Sequence, residues 1–215
     1  GLPGLKRLRF VTSHPRWVNE EFLAGLKSFP LVCEHFHVPP QSGDDDILRV
    51  MGRGYTADEY AEKVAMIREH FPAAGITADL IVGFPGETDG QFENTLAMMR
   101  RVVVSAAFTF MYSPRPNTAA LRLGDDIAAE KKSERLQKLN ALHRDISLRL
   151  NKALIESSLE VMVDKELSAG RYKGRTRCNR IADFTSGKKL APGDLLKVVV
   201  SSATPHALVG KSKIR

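Results

Sequence analysis

The feature that most constrains this 215-residue chain is an alternation of two periodicities. From residue 5 onward, short β-branched or apolar runs take turns with amphipathic stretches at helical spacing, the pattern of βα units laid on a parallel sheet. Strands are expected over 5–13, 31–38, 76–83 and 104–113, with helices over 19–28, 56–71 and 88–102. The strand ends read TSHP, HVPPQSG, GFPGET and SPRPNT. In parallel α/β folds ligands sit beyond the carboxyl ends of the strands, so any chemistry belongs in those loops.

A longer amphipathic helix is expected from Asp126 to Glu156, with Asp125 or Asp126 as N-cap and Ile127, Leu136, Leu139, Leu142, Ile146, Leu150 and Leu154 as its apolar stripe. After it the texture changes to short strands near 159–166, 172–178, 180–184, 195–200 and 207–211, separated by Gly, Pro and Ser turns. Five such strands predict a small antiparallel β-barrel of the oligonucleotide-binding type. The expected organisation is an α/β domain over 1–155 and a barrel domain over 156–215. Charge divides along the same line. Residues 1–148 hold 18 Lys and Arg against 19 Asp and Glu, whereas 149–215 hold 14 against 6. A basic excess confined to one end points to a polyanion, with nucleic acid the first candidate. Only two cysteines occur, Cys33 and Cys178, which excludes a disulfide framework and fits a reducing compartment. The longest apolar stretch, residues 102–112, is too short for a membrane span. The N-terminal GLPGLKRLRF has neither an initiator Met nor the order of a secretory signal, and reads as a segment of a longer protein.

Three loops carry candidate chemistry. In HFHVPPQSG, His35 and His37 lie two apart and share one strand face, a spacing open to a metal-dependent hydrolase with Asp79 as third ligand or to an ordinary buried histidine. Pro39-Pro40 forces an extended exit, and Gln41-Ser42-Gly43 supplies amide, hydroxyl and a free backbone turn, which suits an organic ligand better than a cation. Asp79 stands inside an apolar strand, where a carboxylate is costly without partners; it is either hydrogen-bonded structure or a ligand-reading group. Gly83 and Gly86 either make the turn or admit close backbone approach. Arg53 taken alone reads as a solvated surface charge.

Together HVPPQSGDDDILRVMGRGYT (37–56), ITADLIVGFPGET (76–88) and FMYSPRPNTAA (110–120) resemble the radical S-adenosylmethionine methylthiotransferases. The terminal barrel resembles their TRAM RNA-binding module, and GRTRCNRIADF (174–184) is similar to the branch acting on tRNA adenosine. The resemblance implies a partial radical SAM barrel in which Gln41, Arg53 and Asp79 contact S-adenosylmethionine, Arg53 through the methionine carboxylate and Asp79 through a ribose hydroxyl. Both roles suit the groups, since a guanidinium fork matches a carboxylate and a carboxylate accepts from sugar hydroxyls. Ser13 and His37 are further candidates for the same pocket.

One departure qualifies the match. The family holds one iron-sulfur cluster in a C-x-x-x-C-x-x-C loop and a second on three more cysteines, and two cysteines cannot replace six. The chain therefore resembles the C-terminal half of such an enzyme, and is expected to be inactive alone. The implied activity of the parent is transfer of a methylthio group to C2 of N6-isopentenyladenosine in the tRNA anticodon stem-loop, in the cytoplasm, with S-adenosylmethionine and two 4Fe-4S clusters. A reduced cluster splits S-adenosylmethionine to a 5′-deoxyadenosyl radical, which abstracts the adenine hydrogen. Threonylcarbamoyladenosine tRNA or a ribosomal protein are the alternative substrates within the family. A stand-alone RNA-binding module is the reading from a different class. In that role Arg171, Lys173, Arg175, Arg177, Arg180, Lys188 and Lys189 contact phosphates, and Tyr172 and Phe184 stack on unpaired bases. An incomplete barrel would also leave an edge for pairing with a second copy.

Overall fold

The computed structural model describes residues 2–10 and 14–213. Its first helices are α1 (Glu20–Lys27), α2 (Asp45–Val50), α3 (Ala57–His70) and α4 (Asp89–Val102). They alternate with β1 (His35–His37), β2 (Gly75–Val82) and β3 (Ala106–Met111), which form a three-stranded sheet in the order β1-β2-β3. β2 and β3 run parallel in a register that pairs Asp79 with Phe108 and Ile81 with Phe110. The expected first strand is reduced to a parallel bridge between Leu8 and Val32, and of that stretch Val11, Thr12 and Ser13 fall outside the described residues.

Period-2 burial explains the sheet. Ile76, Ala78, Leu80 and Val82 on one face of β2 are each 0–1% exposed, against helix residues such as Tyr60, Val64, Ile67, Leu96 and Met99. Capping boxes start both flanking helices: Thr56 with Glu59 for α3 and Thr88 with Gln91 for α4. Helix α2 was not expected; Asp44 caps it by accepting from the amides of Asp46 and Ile47. Gly43 is forced by packing, because a Cβ there would lie 2.6 Å from Cα of Thr95 on α4.

The long helix α5 spans Ala129–Lys152. Neither expected aspartate caps it. The helix begins at Ala129, beyond both; Asp125 pairs with Lys132, the fourth helical residue, and Asp126 accepts from the Gly86 amide at 3.0 Å.

The remaining strands, β4 (Ser158–Ser168), β5 (Arg171–Thr176), β6 (Ile181–Thr185), β7 (Leu195–Ala203) and β8 (Leu208–Ser212), close into a barrel in the order β4-β5-β6-β8-β7. The barrel is mixed, not purely antiparallel: β6 and β8 run parallel. The reason is parity, since an odd number of strands in a closed ring cannot alternate direction at every neighbour. Val161, Val163, Tyr172, Ala182, Phe184, Val198, Val200 and Leu208 fill its interior.

The chain divides into two compact units, one of Phe10–Pro30 and Phe36–His143 and one of Gly1–Arg9, Leu31–His35 and Arg144–Arg215. The barrel unit thus recruits two N-terminal segments. Arg7 donates to Glu160 at 2.8 Å, Arg9 donates to the carbonyls of Thr176 and Arg177, and Arg177 grips Glu34.

Candidate cofactor and substrate site

The carboxyl end of the sheet gathers its polar groups by backbone bonding first. The Gln41 amide donates to the Asp79 carbonyl at 3.0 Å and the Ile81 amide donates to the Gln41 carbonyl at 2.9 Å, a parallel bridge that extends the sheet past the Pro39-Pro40 exit. Gln41 holds φ 73°, a left-handed conformation unusual for a side-chain-bearing residue and common where a loop turns around a site. Beside it, His37 Nδ1 meets Thr77 Oγ1 at 2.9 Å and His37 Nε2 lies 3.4 Å from Asp79 Oδ2. Asp79 keeps 29% of its side chain exposed on the open face of β2.

Arg53 is not a free surface charge. Its Nε donates to the Tyr55 hydroxyl at 2.9 Å and its Nη2 to the Pro39 carbonyl at 3.3 Å, while the same hydroxyl donates to the Pro40 carbonyl at 2.9 Å. Tyr55 therefore fixes both the guanidinium and the proline exit, a role that no spacing rule flagged. Burial pushes its hydroxyl above the ordinary tyrosine range, against the pull of Arg53, so it remains a neutral donor. His14 packs edge-on against the Tyr55 ring, and burial followed by Arg53 and Arg16 lowers its pKa, keeping it neutral near pH 7.

Gln41 and Arg53 thus lie in the segment that follows β1, while His37 on β1 faces Asp79 on β2. Ser13 lies outside the described residues. His35 and His37 do not assemble a metal centre with Asp79: among the described residues no group of three or more His, Cys, Asp or Glu side chains could hold an ion. His35 is 8% exposed and its Nε2 is 3.4 Å from Asn179 Nδ2.

Below the loop GFPGET, a buried ion pair ties β2 to α5. Glu87 accepts from the Gly83 amide at 2.7 Å and from Arg135 Nη1 at 2.8 Å, with side chains 0% and 5% exposed. Burial raises the Glu87 pKa, the Gly83 amide and Arg135 opposing it. This fixes the turn that ends the strand carrying Asp79.

In the barrel unit the basic residues divide. Arg177 donates from Nε to Glu34 Oε2 and from Nη2 to Oε1, both at 2.8 Å, and again to the Val32 carbonyl. Burial favours the neutral form of Glu34, but the Arg177 hydrogen bonds, the backbone amide of Glu34 and the charges of Arg177 and Arg7 together outweigh it, and the pKa falls below the ordinary range. Arg175 contacts Asn179 and Asp164, Lys173 lies 3.9 Å from Asp183, and Arg180 donates to Asn151. Arg171, Lys188 and Lys189 are exposed. Tyr172 and Phe184 are not available to stack on bases: they are 2% and 3% exposed and stack on each other inside the barrel.

Residues 2–99 match the Radical SAM superfamily. That match takes in 98 of the 215 residues, a little under half of the chain. Its curated relatives include tRNA-2-methylthio-N(6)-dimethylallyladenosine synthases from Moorella thermoacetica, 43% identical over 97% of this chain, and Geobacter metallireducens, 41% identical over 98%. A third, from Solibacter usitatus, is 40% identical over 98%. The chain spans about half the length of these relatives, 47–48%. Among solved structures, coproporphyrinogen III oxidase from Escherichia coli, a radical SAM enzyme, superposes with a TM-score of 0.55 at 15% identity, covering 80% of this chain and 46% of that one. That likeness is one of fold alone. No helix among the described residues is long and apolar enough to cross a membrane.

Proposed function

We propose that this chain is the part of a cytoplasmic radical SAM tRNA methylthiotransferase that holds S-adenosylmethionine at the carboxyl ends of β1 and β2 and grips tRNA with its β-barrel. The whole enzyme adds a methylthio group to C2 of N6-dimethylallyladenosine in the anticodon stem-loop. The observation that carries this reading is 40–43% identity to synthases of that name over nearly the whole chain.

The residues present fit S-adenosylmethionine. Asp79 offers a partly exposed carboxylate to ribose hydroxyls, and Arg53, locked by Tyr55 and Pro39, offers a pre-oriented fork to the methionine carboxylate. Gln41 in its left-handed turn places an amide at the same loop, and His37 orients Asp79. When bound, S-adenosylmethionine supplies the radical-forming carbon–sulfur bond. An iron-sulfur cluster does not fit: it needs several thiolates, and of the two cysteines present Cys33 is buried while Cys178 is bonded to Thr176. This chain's share of the reaction is therefore binding and positioning. Residues 156–215 form the RNA-binding module, with Arg171, Lys188 and Lys189 on phosphates and Lys173, Arg175, Arg177 and Arg180 shaping the surface between them.

Isothermal titration of the 215-residue chain with S-adenosylmethionine tests the cofactor half. Asp79→Ala and Arg53→Ala are expected to weaken binding by about tenfold each, the scale of one charge-assisted hydrogen bond. Unchanged affinity in both variants would refute the assignment.

A further inference from the structure

Strand parity sets one face of the sheet apart. Asp79 and Ile81 on β2 share it with Phe108 and Phe110 on β3, their register partners, and the His37 ring meets Phe108 edge-on at 6.1 Å. The next residue on that face, Tyr112, is 9% exposed and donates its hydroxyl proton to the Ala120 carbonyl. An aromatic row therefore runs along β3, closed over at Tyr112 but open at Phe108 and Phe110, which are 57% and 51% exposed. Two neighbouring phenylalanines left in water forgo the burial that Ile76, Ala78, Leu80 and Val82 achieve on the opposite face of β2.

The charge on this face is as informative as its apolarity. Neither Gly75–Val82 nor Ala106–Met111 contains a Lys or Arg, and the carboxylate of Asp79 lies beside Phe108 in the register. Such a surface attracts a neutral hydrocarbon group attached to a hydrogen-bond donor and repels an anion. The synthases to which the chain is similar are named for an adenosine whose N6 carries a dimethylallyl group, a branched, uncharged hydrocarbon. We infer that Phe108 and Phe110 form the wall that receives the N6-dimethylallyl group of the substrate adenosine, and that the same wall rejects an adenosine whose N6 substituent ends in a carboxylate. The inference rests on the proposed function and adds its specificity element.

Equilibrium dialysis of the 215-residue chain against N6-dimethylallyladenosine, adenosine and N6-threonylcarbamoyladenosine reads the wall directly. Burying the hydrocarbon group gives an expected preference of about tenfold or more for the dimethylallyl nucleoside over adenosine. That ratio is expected to fall to about twofold in Phe108→Ser and Phe110→Ser and to be largely kept in Phe110→Leu, which preserves apolar area. An unchanged Tm in the serine variants shows that folding is intact. The inference is overturned if wild type shows no preference, if it binds the anionic nucleoside as tightly, or if the serine variants keep the preference. It is also overturned if those variants lose S-adenosylmethionine affinity with the preference intact, because the wall then serves the cofactor. The same substitutions in the full-length protein separate the two failures. A wild type that methylthiolates dimethylallylated tRNA, with serine variants that still reject unprenylated tRNA, removes only the aromatic wall. A wild type without methylthiotransferase activity removes the proposed function itself.

Discussion

Two aromatic pairs in this protein meet opposite fates. In the barrel, Tyr172 and Phe184 are direct cross-strand partners, stacked with ring centroids 5.8 Å apart and nearly inaccessible. On the sheet, Phe108 and Phe110 lie two residues apart along one strand and face outward. Closure makes the difference. A five-stranded ring has one inside, and every inward side chain becomes core, whereas an open sheet buries only the face that its helices cover. Aromatic character therefore serves stability in one unit and remains available for recognition in the other.

The sharpest way to break that contrast is to truncate one ring from each pair. Phe184→Ala is expected to destabilise the barrel unit by about 3–5 kcal/mol, the range for large-to-small changes in a core. Phe110→Ala is expected to cost less than about 1 kcal/mol, since its ring is already half in water. Urea unfolding followed by circular dichroism measures both. Equal losses would mean that the open face is structural after all.

A second contrast is between ion pairs. Glu87 and Arg135 are almost fully enclosed, so Arg135→Ala strands a buried carboxylate and is expected to cost about 3 kcal/mol. Replacing both partners by apolar residues of similar size should recover most of that loss. If the double replacement is as unstable as the single one, the pair does more than satisfy its own burial.

These contrasts also show which parts of the molecule a sequence displays. Residues 76–83 and 104–113 announce strands because β-branched and apolar side chains repeat with the pleat. Thr56 and Thr88 announce helix starts because each precedes a Glu or Gln at the capping-box spacing. Asp79, by contrast, is conspicuous only for being polar in an apolar run, and its His37 neighbour comes from another strand. Arg53 looked like a surface charge because nothing local reveals that Tyr55 and Pro39 hold it. Counting basic residues likewise located the basic end of the chain but not the commitment of Arg177 to Glu34, 143 residues away. Parity of strand number alone would have placed a parallel pair in the barrel.

The Arg177–Glu34 pair gives a pH-dependent test of that commitment. Glu34 has a lowered pKa in the folded protein, so it binds protons more weakly there than in the unfolded chain. Its contribution is fully present above the unfolded carboxyl value of about 4.3 and is lost as pH falls through the folded value. Because the pair is about one-third exposed, the contribution is discounted to about 1 kcal/mol. Glu34→Gln should therefore lower the urea midpoint at pH 7, and the gap to wild type should narrow as pH falls below the ordinary carboxylate range. A difference that persists in acid would place the effect in packing rather than charge.

The smallest effect separates committed from available cations. If the barrel unit meets tRNA through exposed charges, Arg171→Ala and Lys189→Ala should each make the dependence of log Kd on log salt shallower by about 0.7–0.9, one released counterion per phosphate contact. Arg177→Ala should leave that slope nearly unchanged, because its guanidinium already neutralises Glu34 and donates to Val32. Measured on the whole chain with an anticodon stem-loop, the three slopes rank how each cation is used. A slope change for Arg177 equal to that for Arg171 would mean that tRNA displaces Glu34, turning the clamp into a contact that RNA opens. The cost of breaking the pair would then appear as a weaker affinity than the basic charge of the barrel alone supports.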